Sequence, residues 1–225
     1  MKTVSFAIDG PAGAGKSTIA RQLASQLGFR YVDTGAIYRT VAYFMDLWGV
    51  SAKDADGVNR YIDELTVGIE YDEDGLQHMI MNGMDVTGDI RTQDISQKAS
   101  LISAHACVRE MLLDMQRDLA KQYNVIMDGR DIGTVVLPKA TVKIFLTASA
   151  EVRAKRRCQE LLAKGQKARY ETVLKEIQQR DYQDTHREIA PLKMARDSIK
   201  VDTSEMTVDE VVAAIREIVR EKAGL

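Results

Sequence analysis

A glycine-rich stretch near the start of the chain has the residue types and the spacing that bind phosphate. The segment GPAGAGKS, from Gly10 to Ser17, fits the pattern G-x-x-x-x-G-K-[ST]. In such a loop successive backbone N–H groups converge on phosphate oxygens, and the following helix adds the positive end of its dipole. Lys16 is expected to reach the β- and γ-phosphates, and the hydroxyl of Ser17 to be a ligand of Mg²⁺. We therefore predict that ATP or GTP is held by Gly10, Pro11, Ala12, Gly13, Ala14, Gly15, Lys16, Ser17 and Thr18.

A second motif, DGRD, places two carboxylates and a guanidinium directly after an apolar run. Its residues are Asp128, Gly129, Arg130 and Asp131, and they follow the run NVIM. Ligands of open α/β sheets bind at the carboxyl ends of the strands, which is where this motif falls. Asp128 is suited to hold the water shell of Mg²⁺, and Arg130 to contact a phosphate. The alternative is an ordinary turn after a strand, since Asp-Gly is a common turn pair.

The chain carries more arginines near the predicted ends of strands and helices than one phosphorylated ligand needs. Two phosphorylated ligands would use them, because phosphoryl transfer depends on positioning and on neutralising the phosphate oxygens. The sequence contains no N/T-K-x-D stretch, by which switch GTPases read their base. These observations favour a kinase over a switch. The arginines are Arg39, Arg109, Arg130, Arg153, Arg156, Arg157, Arg180 and Arg187.

The elements that position these residues are indicated by short apolar runs that alternate with helical patterns. The runs predict strands at 3–8, 29–33, 124–128, 142–148 and 198–203, and the patterns predict helices at 16–27, 36–47, 108–122 and 207–222. Apolar strands separated by helices predict an α/β fold, with a five-stranded parallel sheet covered on both faces.

Two segments depart from this alternation. Polar and apolar residues alternate over 65–87 around DEDG and NG, which predicts a small antiparallel insert. The segment 149–188 is helical by pattern and holds ten Lys or Arg against seven Asp or Glu. It is either a solvated helical pair or a mobile cover over an anion.

Composition excludes several classes of protein. The net charge of the 225-residue chain is −2, so no overall positive field attracts nucleic acid. Two cysteines far apart match no metal or redox spacing. No uncharged apolar segment is long enough to span a membrane. We therefore expect a cytoplasmic protein that binds small molecules. We also expect a monomer, because two-ligand kinases of this size can act alone and no helical pattern has a large exposed apolar face.

Five segments together resemble the bacterial cytidylate kinase family. GPAGAGKS, DTGAIYR, VRE, DGRDIGTVV and RD…D…R…APL occur in the order and spacing of that family, and the similarity runs from Val4 to about Val219. The resemblance implies a P-loop three-layer α/β/α fold in a single unit, with a core of 1–33, 107–148 and 190–225. It also implies a region that binds the nucleoside monophosphate, including the β insert, at 34–106, and a helical lid with its following helix at 149–189. The implied activity is the ATP-dependent phosphorylation of CMP and dCMP with Mg²⁺.

The resemblance also implies roles for single residues. Arg39, Arg130 and Arg187 would clamp the acceptor phosphate, with Thr34 and Tyr38 close to the acceptor nucleotide. The residues expected to take part in phosphoryl transfer are Lys16, Asp128, Arg130, Arg157 and Arg187.

The ribose, the base and the lid have their own implied residues. Arg180 and Asp184, one helical turn apart, would hold the ribose hydroxyls, or would form only an i,i+4 ion pair. Ser100, Arg109 and Asp131 would read the base, because a carboxylate accepts from the 4-amino group of cytosine while a guanidinium donates to N3 and O2. Lid residues Arg153 and Arg157 would contact ATP.

Two alternatives remain open at this point. One is a P-loop kinase for another small acceptor, such as UMP, AMP or shikimate, although uracil inverts the pattern that this base-reading trio recognises. The other is a nucleotide-binding switch without catalysis.

Overall fold

The computed structural model describes residues 3–225 and has eight strands and eight α-helices within that range. In chain order the strands are β1 (Ser5–Asp9), β2 (Arg30–Asp33), β3 (Val67–Tyr71), β4 (Gln77–Met81), β5 (Met84–Asp85), β6 (Val125–Gly129), β7 (Val142–Thr147) and β8 (Ile199–Asp202). The helices are α1 (Lys16–Leu27), α2 (Thr34–Leu47), α3 (Ala55–Tyr61), α4 (Gln93–Ile102), α5 (Ala106–Gln122), α6 (Ala150–Ala163), α7 (Tyr170–His186) and α8 (Val208–Ala223).

The main sheet has five parallel strands in the order β2-β6-β1-β7-β8. Side chains of a strand point alternately to its two faces, so each face has its own core. Phe6 and Ile8 of β1 pack with α1 and α8, whereas Ala7 packs on the opposite face with α2 and α5. The predicted three-layer α/β/α fold is confirmed. The central strand β1 leads directly into the glycine-rich loop.

Element bounds differ from the sequence prediction by a few residues, and one difference has a clear local cause. Helix α2 begins at Thr34 rather than Ala36, because an Asp33 side-chain oxygen accepts a hydrogen bond of 2.8 Å from the Ala36 N–H. Such a cap satisfies a donor that the first helical turn leaves without a partner. Helices α3 and α4 were not predicted from the sequence, and they extend the face covered by α2.

The antiparallel insert is present as predicted. Strand β4 pairs with β3 on one side and with β5 on the other. Asn82 and Gly83 join β4 to β5 with φ angles of 48° and 82°, the left-handed pair that suits a two-residue hairpin turn. The insert lies against β2, which is an edge strand of the main sheet.

Segment 149–188 forms two helices, α6 and α7, as its pattern predicted. They pack on each other through a small cluster that is separate from the two main cores, made of Ala154, Leu161, Val173 and Ile177. Across residues 3–225 no helix combines the length and apolar character needed to cross a membrane.

Candidate functional site

The glycine-rich loop lies between β1 and α1, where close packing restricts its residues. A Cβ atom on Gly10 would lie 1.9 Å from the carbonyl oxygen of Leu146 in β7, so only glycine fits there. Gly13 and Gly15 have φ angles of 74° and 91°, in the region that side chains disfavour. The loop can thus turn its backbone N–H groups toward a ligand at the carboxyl edge of the sheet.

Lys16 is buried at the start of α1 and donates a 2.7 Å hydrogen bond to the Pro11 carbonyl. Burial and then the positive charge of Arg130 lower the pKa of Lys16 to about 7. A buried ammonium group with little solvation is stabilised by a nearby anion, and a nucleotide phosphate would be such an anion.

Ser17 and Asp128 meet beside the loop. The Ser17 hydroxyl donates to one Asp128 carboxylate oxygen at 2.7 Å, and the Tyr31 hydroxyl donates to the other at 3.0 Å. Burial raises the pKa of Asp128. Mg²⁺ keeps several waters and often shares substrate phosphates, so one hydroxyl backed by one carboxylate fits it. Within the described chain no cluster of three acidic, His or Cys side chains could hold a metal by itself.

On the acceptor side, each arginine of the implied phosphate clamp already has a polar partner. The Arg39 guanidinium donates to Asp33 at 2.9 Å, and the Arg130 Nε donates to Asp184 at 2.7 Å. Arg187 lies 3.4 Å from Asp131 and donates to the Ala190 carbonyl at 2.6 Å. Charge-assisted bonds of this kind preset the guanidinium positions.

Arg180 and Asp184 share a face of α7 without bonding to each other among the described contacts. The Asp184 carboxylate bonds to Arg130 and accepts a 3.4 Å hydrogen bond from the Ser100 hydroxyl. Although burial opposes it, the charges of Arg130 and Arg180 hold the pKa of Asp184 below its ordinary value. Burial and then Arg130 lower the pKa of Arg180 to about 10.

Two guanidinium donors at this site are buried without a partner in the described structure. They are the Nε atoms of Arg39 and Arg180. Buried donors are nearly always hydrogen-bonded in folded proteins, so two orphans in one region point to a missing acceptor. Phosphate or hydroxyl oxygens of a ligand would supply it.

The residues expected to read the base are brought together only in part. Arg109 and Asp131 form a buried ion pair, and the Arg109 guanidinium carbon lies 5.7 Å from the centre of the Tyr38 ring. Ser100 lies on α4 and bonds to Asp184 rather than to that pair. Thr34 is buried, and its hydroxyl donates to the Asp128 carbonyl at 2.7 Å, so it ties α2 to β6.

Asp9 has a position at the site that sequence reasoning missed. Its two carboxylate oxygens accept hydrogen bonds from the N–H groups of Ile132 and Gly133, at 2.8 Å and 2.7 Å. These bonds hold the π-helical turn Ile132–Val136, directly after Asp131. Burial raises the pKa of Asp9 to about 6. The available signal was an acidic residue that ends an otherwise apolar strand.

The arginines of α6 lie at different distances from the glycine-rich loop. Arg153 is buried and donates to the Ala12 carbonyl at 3.0 Å, while it also pairs with Asp181. Arg156, one of the arginines that two phosphorylated ligands were expected to use, donates instead to the Thr203 carbonyl at 2.6 Å. Arg157 is half-exposed and pairs with Glu160 on its own helix.

One cleft of about 930 Å³ opens between the glycine-rich loop and the helices that carry several of these groups. It is lined by the glycine-rich loop, α4, α6, α7 and the start of α8, and it includes Lys16, Ser100, Arg157 and Arg180. A phosphate loop at the carboxyl edge of a parallel sheet, facing a set of guanidinium groups across a cleft, defines a P-loop kinase.

Comparisons with known proteins identify the family. The family model described as "Cytidylate kinase" matches residues 6–221. A cytidylate kinase of Carboxydothermus hydrogenoformans is 50% identical over 217 residues, covering 96% of this chain and 97% of the relative. One from Lactobacillus johnsonii is 48% identical, with coverage of 96% and 94%. The chain belongs to the cytidylate kinase family, as the sequence motifs predicted.

A solved structure supports the fold alone. An uncharacterized protein from Eubacterium ventriosum superposes with a TM-score of 0.52 at 13% identity, covering 96% of this chain and 98% of that one. At this identity the likeness describes the arrangement of elements and carries no information on substrate.

Proposed function

We propose that the chain transfers the γ-phosphoryl group of ATP to CMP or dCMP, which gives ADP and CDP or dCDP. The observation that carries this choice of acceptor is the buried Arg109–Asp131 pair beside the arginine set. The pair offers a carboxylate acceptor for the 4-amino group of cytosine and guanidinium donors for N3 and O2. Uracil, with O4 and an N3–H, would meet the opposite polarity at both positions. Membership of the cytidylate kinase family supports the same acceptor.

On the donor side, the loop N–H groups and Lys16 would bind the phosphates of ATP. Mg²⁺, bound through the Ser17 hydroxyl and through water to Asp128, would supply positive charge to the phosphate oxygens. Arg153 already contacts the loop at Ala12. Arg157 must leave Glu160 to reach the transferring phosphoryl group.

On the acceptor side, the monophosphate would replace carboxylates as the partner of Arg130 and Arg187, and it would be a second partner for Arg39, which keeps Asp33. Asp184, once exchanged from Arg130, is free to accept from a ribose hydroxyl, with Arg180 beside it. No strong base is required, because the attacking phosphate oxygen is already anionic. Catalysis then consists mainly of positioning and charge neutralisation.

The chain divides into three working parts in this proposal. Segments 1–33, 107–148 and 190–225 form the core, 34–106 binds the acceptor, and 149–189 is a lid. A small apolar cluster and the Arg153–Asp181 ion pair hold the two lid helices against each other. Closure over both nucleotides would exclude water and so prevent wasteful hydrolysis of ATP. We propose that one chain is sufficient, since both halves of the site lie within it.

A panel of acceptors tests the proposal. ADP release is measured with ATP and Mg²⁺ in the presence of CMP, dCMP, UMP, AMP or shikimate, and without an acceptor. CMP and dCMP should give the highest kcat/KM. Faster turnover with UMP, AMP or shikimate would assign a different kinase, and slow hydrolysis that ignores CMP would assign a nucleotide switch.

A further inference from the structure

The side-chain carboxamide of Gln77 ties the insert to the main sheet. The Gln77 side-chain oxygen accepts a 2.7 Å hydrogen bond from the Asp33 N–H, and its nitrogen donates to the Asp33 carbonyl at 3.3 Å. Strand β2 is at the edge of the sheet and has only β6 as a strand neighbour there. Outward-facing N–H and C=O groups of an edge strand need other partners, and Gln77 provides both for Asp33.

Asp33 connects Gln77 to the start of α2 and to Arg39, on the acceptor side of the site. One of its carboxylate oxygens caps α2 at Ala36, at 2.8 Å, and the other accepts from Arg39 at 2.9 Å. Its backbone and both side-chain oxygens are therefore held at once. A rotation of the Asp33 peptide would move the helix start and the guanidinium together.

Arg39 is held by Asp33 and still has a free donor. Its Nη2 atom is occupied by Asp33, while its Nε is buried and has no partner in the described structure. An arginine held at one edge with an unused donor at another is prepared for a second oxyanion. The acceptor phosphate is that oxyanion in the function proposed above.

We propose that Gln77 is a positioning residue for the acceptor phosphate: it fixes the Asp33 peptide, and Asp33 fixes Arg39. The inference rests on the proposed role of Arg39. This inference gives the insert a role in binding the acceptor and no role in binding ATP. Further ties of the insert to β2 run through Tyr71 and do not involve Asp33: the Tyr71 hydroxyl donates to the Tyr31 carbonyl at 3.1 Å, and the Arg30 guanidinium lies 4.8 Å from the Tyr71 ring centre.

The test compares Gln77→Leu with a control in the same insert. Asn82 also uses its carboxamide to bond two backbone groups, the Thr66 N–H at 2.6 Å and the Glu64 carbonyl at 3.1 Å, and neither group belongs to β2. For Gln77→Leu we expect the KM for CMP to rise about fivefold to tenfold. This is less than the loss of two hydrogen bonds would give if all of it weakened binding, because part of the lost free energy lowers the stability of the fold instead. The KM for ATP and kcat should stay within about twofold, because only acceptor binding is weakened. Asn82→Ala should leave all three constants within about twofold by the same reasoning.

Arg39→Ala separates this inference from the proposed function. It should raise the KM for CMP by itself, and adding Gln77→Leu to it should have no further effect, since the two residues act in series. If Arg39→Ala raises that KM while Gln77→Leu does not, Gln77 has no positioning role and the proposed function stands. If Arg39→Ala leaves it unchanged, the assignment of Arg39 fails and the inference fails with it.

Two further outcomes concern folding. Equal increases for Gln77→Leu and Asn82→Ala would reduce the effect to general loosening of the insert and overturn the proposal. If Gln77→Leu does not fold, Gln77→Glu serves instead. It keeps an acceptor for the Asp33 N–H but cannot donate to the Asp33 carbonyl, so its KM for CMP should lie above that of the wild type. A wild-type KM in Gln77→Glu, with Arg39→Ala impaired, would equally overturn the proposal.

Discussion

Binding of ATP should draw a proton onto Lys16 at neutral and alkaline pH. In the protein without nucleotide, burial and then the charge of Arg130 lower the pKa of Lys16 from 10.5 to about 7. A triphosphate at the ammonium reverses this, because an opposite charge within hydrogen-bond distance favours the charged form. The pKa of Lys16 is therefore lower in the free protein than in the complex, and binding takes up a proton wherever the free lysine is neutral.

The size of the uptake follows from the pKa of the free protein. A group with a pKa of about 7 is roughly half protonated at pH 7 and about one-tenth protonated at pH 8. ATP binding should then take up about 0.5 proton at pH 7, about 0.9 at pH 8 and about 0.1 at pH 6. By the same linkage, the Kd for ATP should rise with pH above 7, approaching about tenfold per pH unit above pH 8.

Titration calorimetry at pH 8 measures this uptake directly. The observed enthalpy of MgATP binding is plotted against the ionisation enthalpies of several buffers, and the slope gives the number of protons. The nucleotide itself contributes little there, since the second pKa of a phosphate lies near 6. Lys16→Met should bring the slope close to zero. Uptake below about 0.2 proton in the wild type, or the same slope in Lys16→Met, would refute the role of burial in lowering the pKa of Lys16.

Three further predictions concern catalysis, the lid and the base. Lys16→Met should leave the circular dichroism spectrum unchanged and reduce kcat by much more than about tenfold. A tenfold loss corresponds to about 1.4 kcal/mol in the barrier, which is too small for a group that neutralises the transferring phosphate. If kcat falls by about tenfold or less, Lys16 does not have this role. Hydrogen exchange over 149–188 should slow when an ATP analogue and CMP bind together, because closure orders the lid, and equal protection in both states would indicate an ordinary helical pair. Asp131→Asn should lower kcat/KM for CMP by about tenfold to a hundredfold, because the 4-amino group of cytosine loses a charged acceptor in a closed site. The kcat/KM for UMP should stay the same or rise. An equal fall for both acceptors would mean that Asp131 serves only to hold Arg109 and Arg187.

The parts of the fold that depend on local pattern could be predicted from the sequence. The apolar run before GPAGAGKS, and the helix after it, follow from periodicity and from glycine spacing alone. The insert was visible because DEDG and NG mark turns between alternating segments. These signals lie within a few residues of one another, so no knowledge of tertiary contacts is needed to interpret them.

The parts that depend on distant contacts could not be predicted. The segment from Ile132 to Val136 is rich in β-branched residues, yet it forms a π-helical turn because Asp9, far away in sequence, accepts its first N–H groups. The ion-pair partner of Asp184 also comes from a distant part of the sequence. The i,i+4 spacing left an ion pair with Arg180 as one alternative, but the Asp184 carboxylate bonds to Arg130, which directly follows β6.

The carboxylate partners of the acceptor-side arginines have a consequence for how this protein responds to common small anions. An inorganic phosphate or sulfate ion that binds to Arg130 and Arg187 must displace Asp184 from the first and Asp131 from the second. Breaking buried pairs is costly, and a bare anion brings no base or sugar to donate hydrogen bonds to the carboxylates that it releases. A nucleotide brings both. At these two arginines we therefore expect inorganic phosphate and sulfate to compete weakly with the nucleotide.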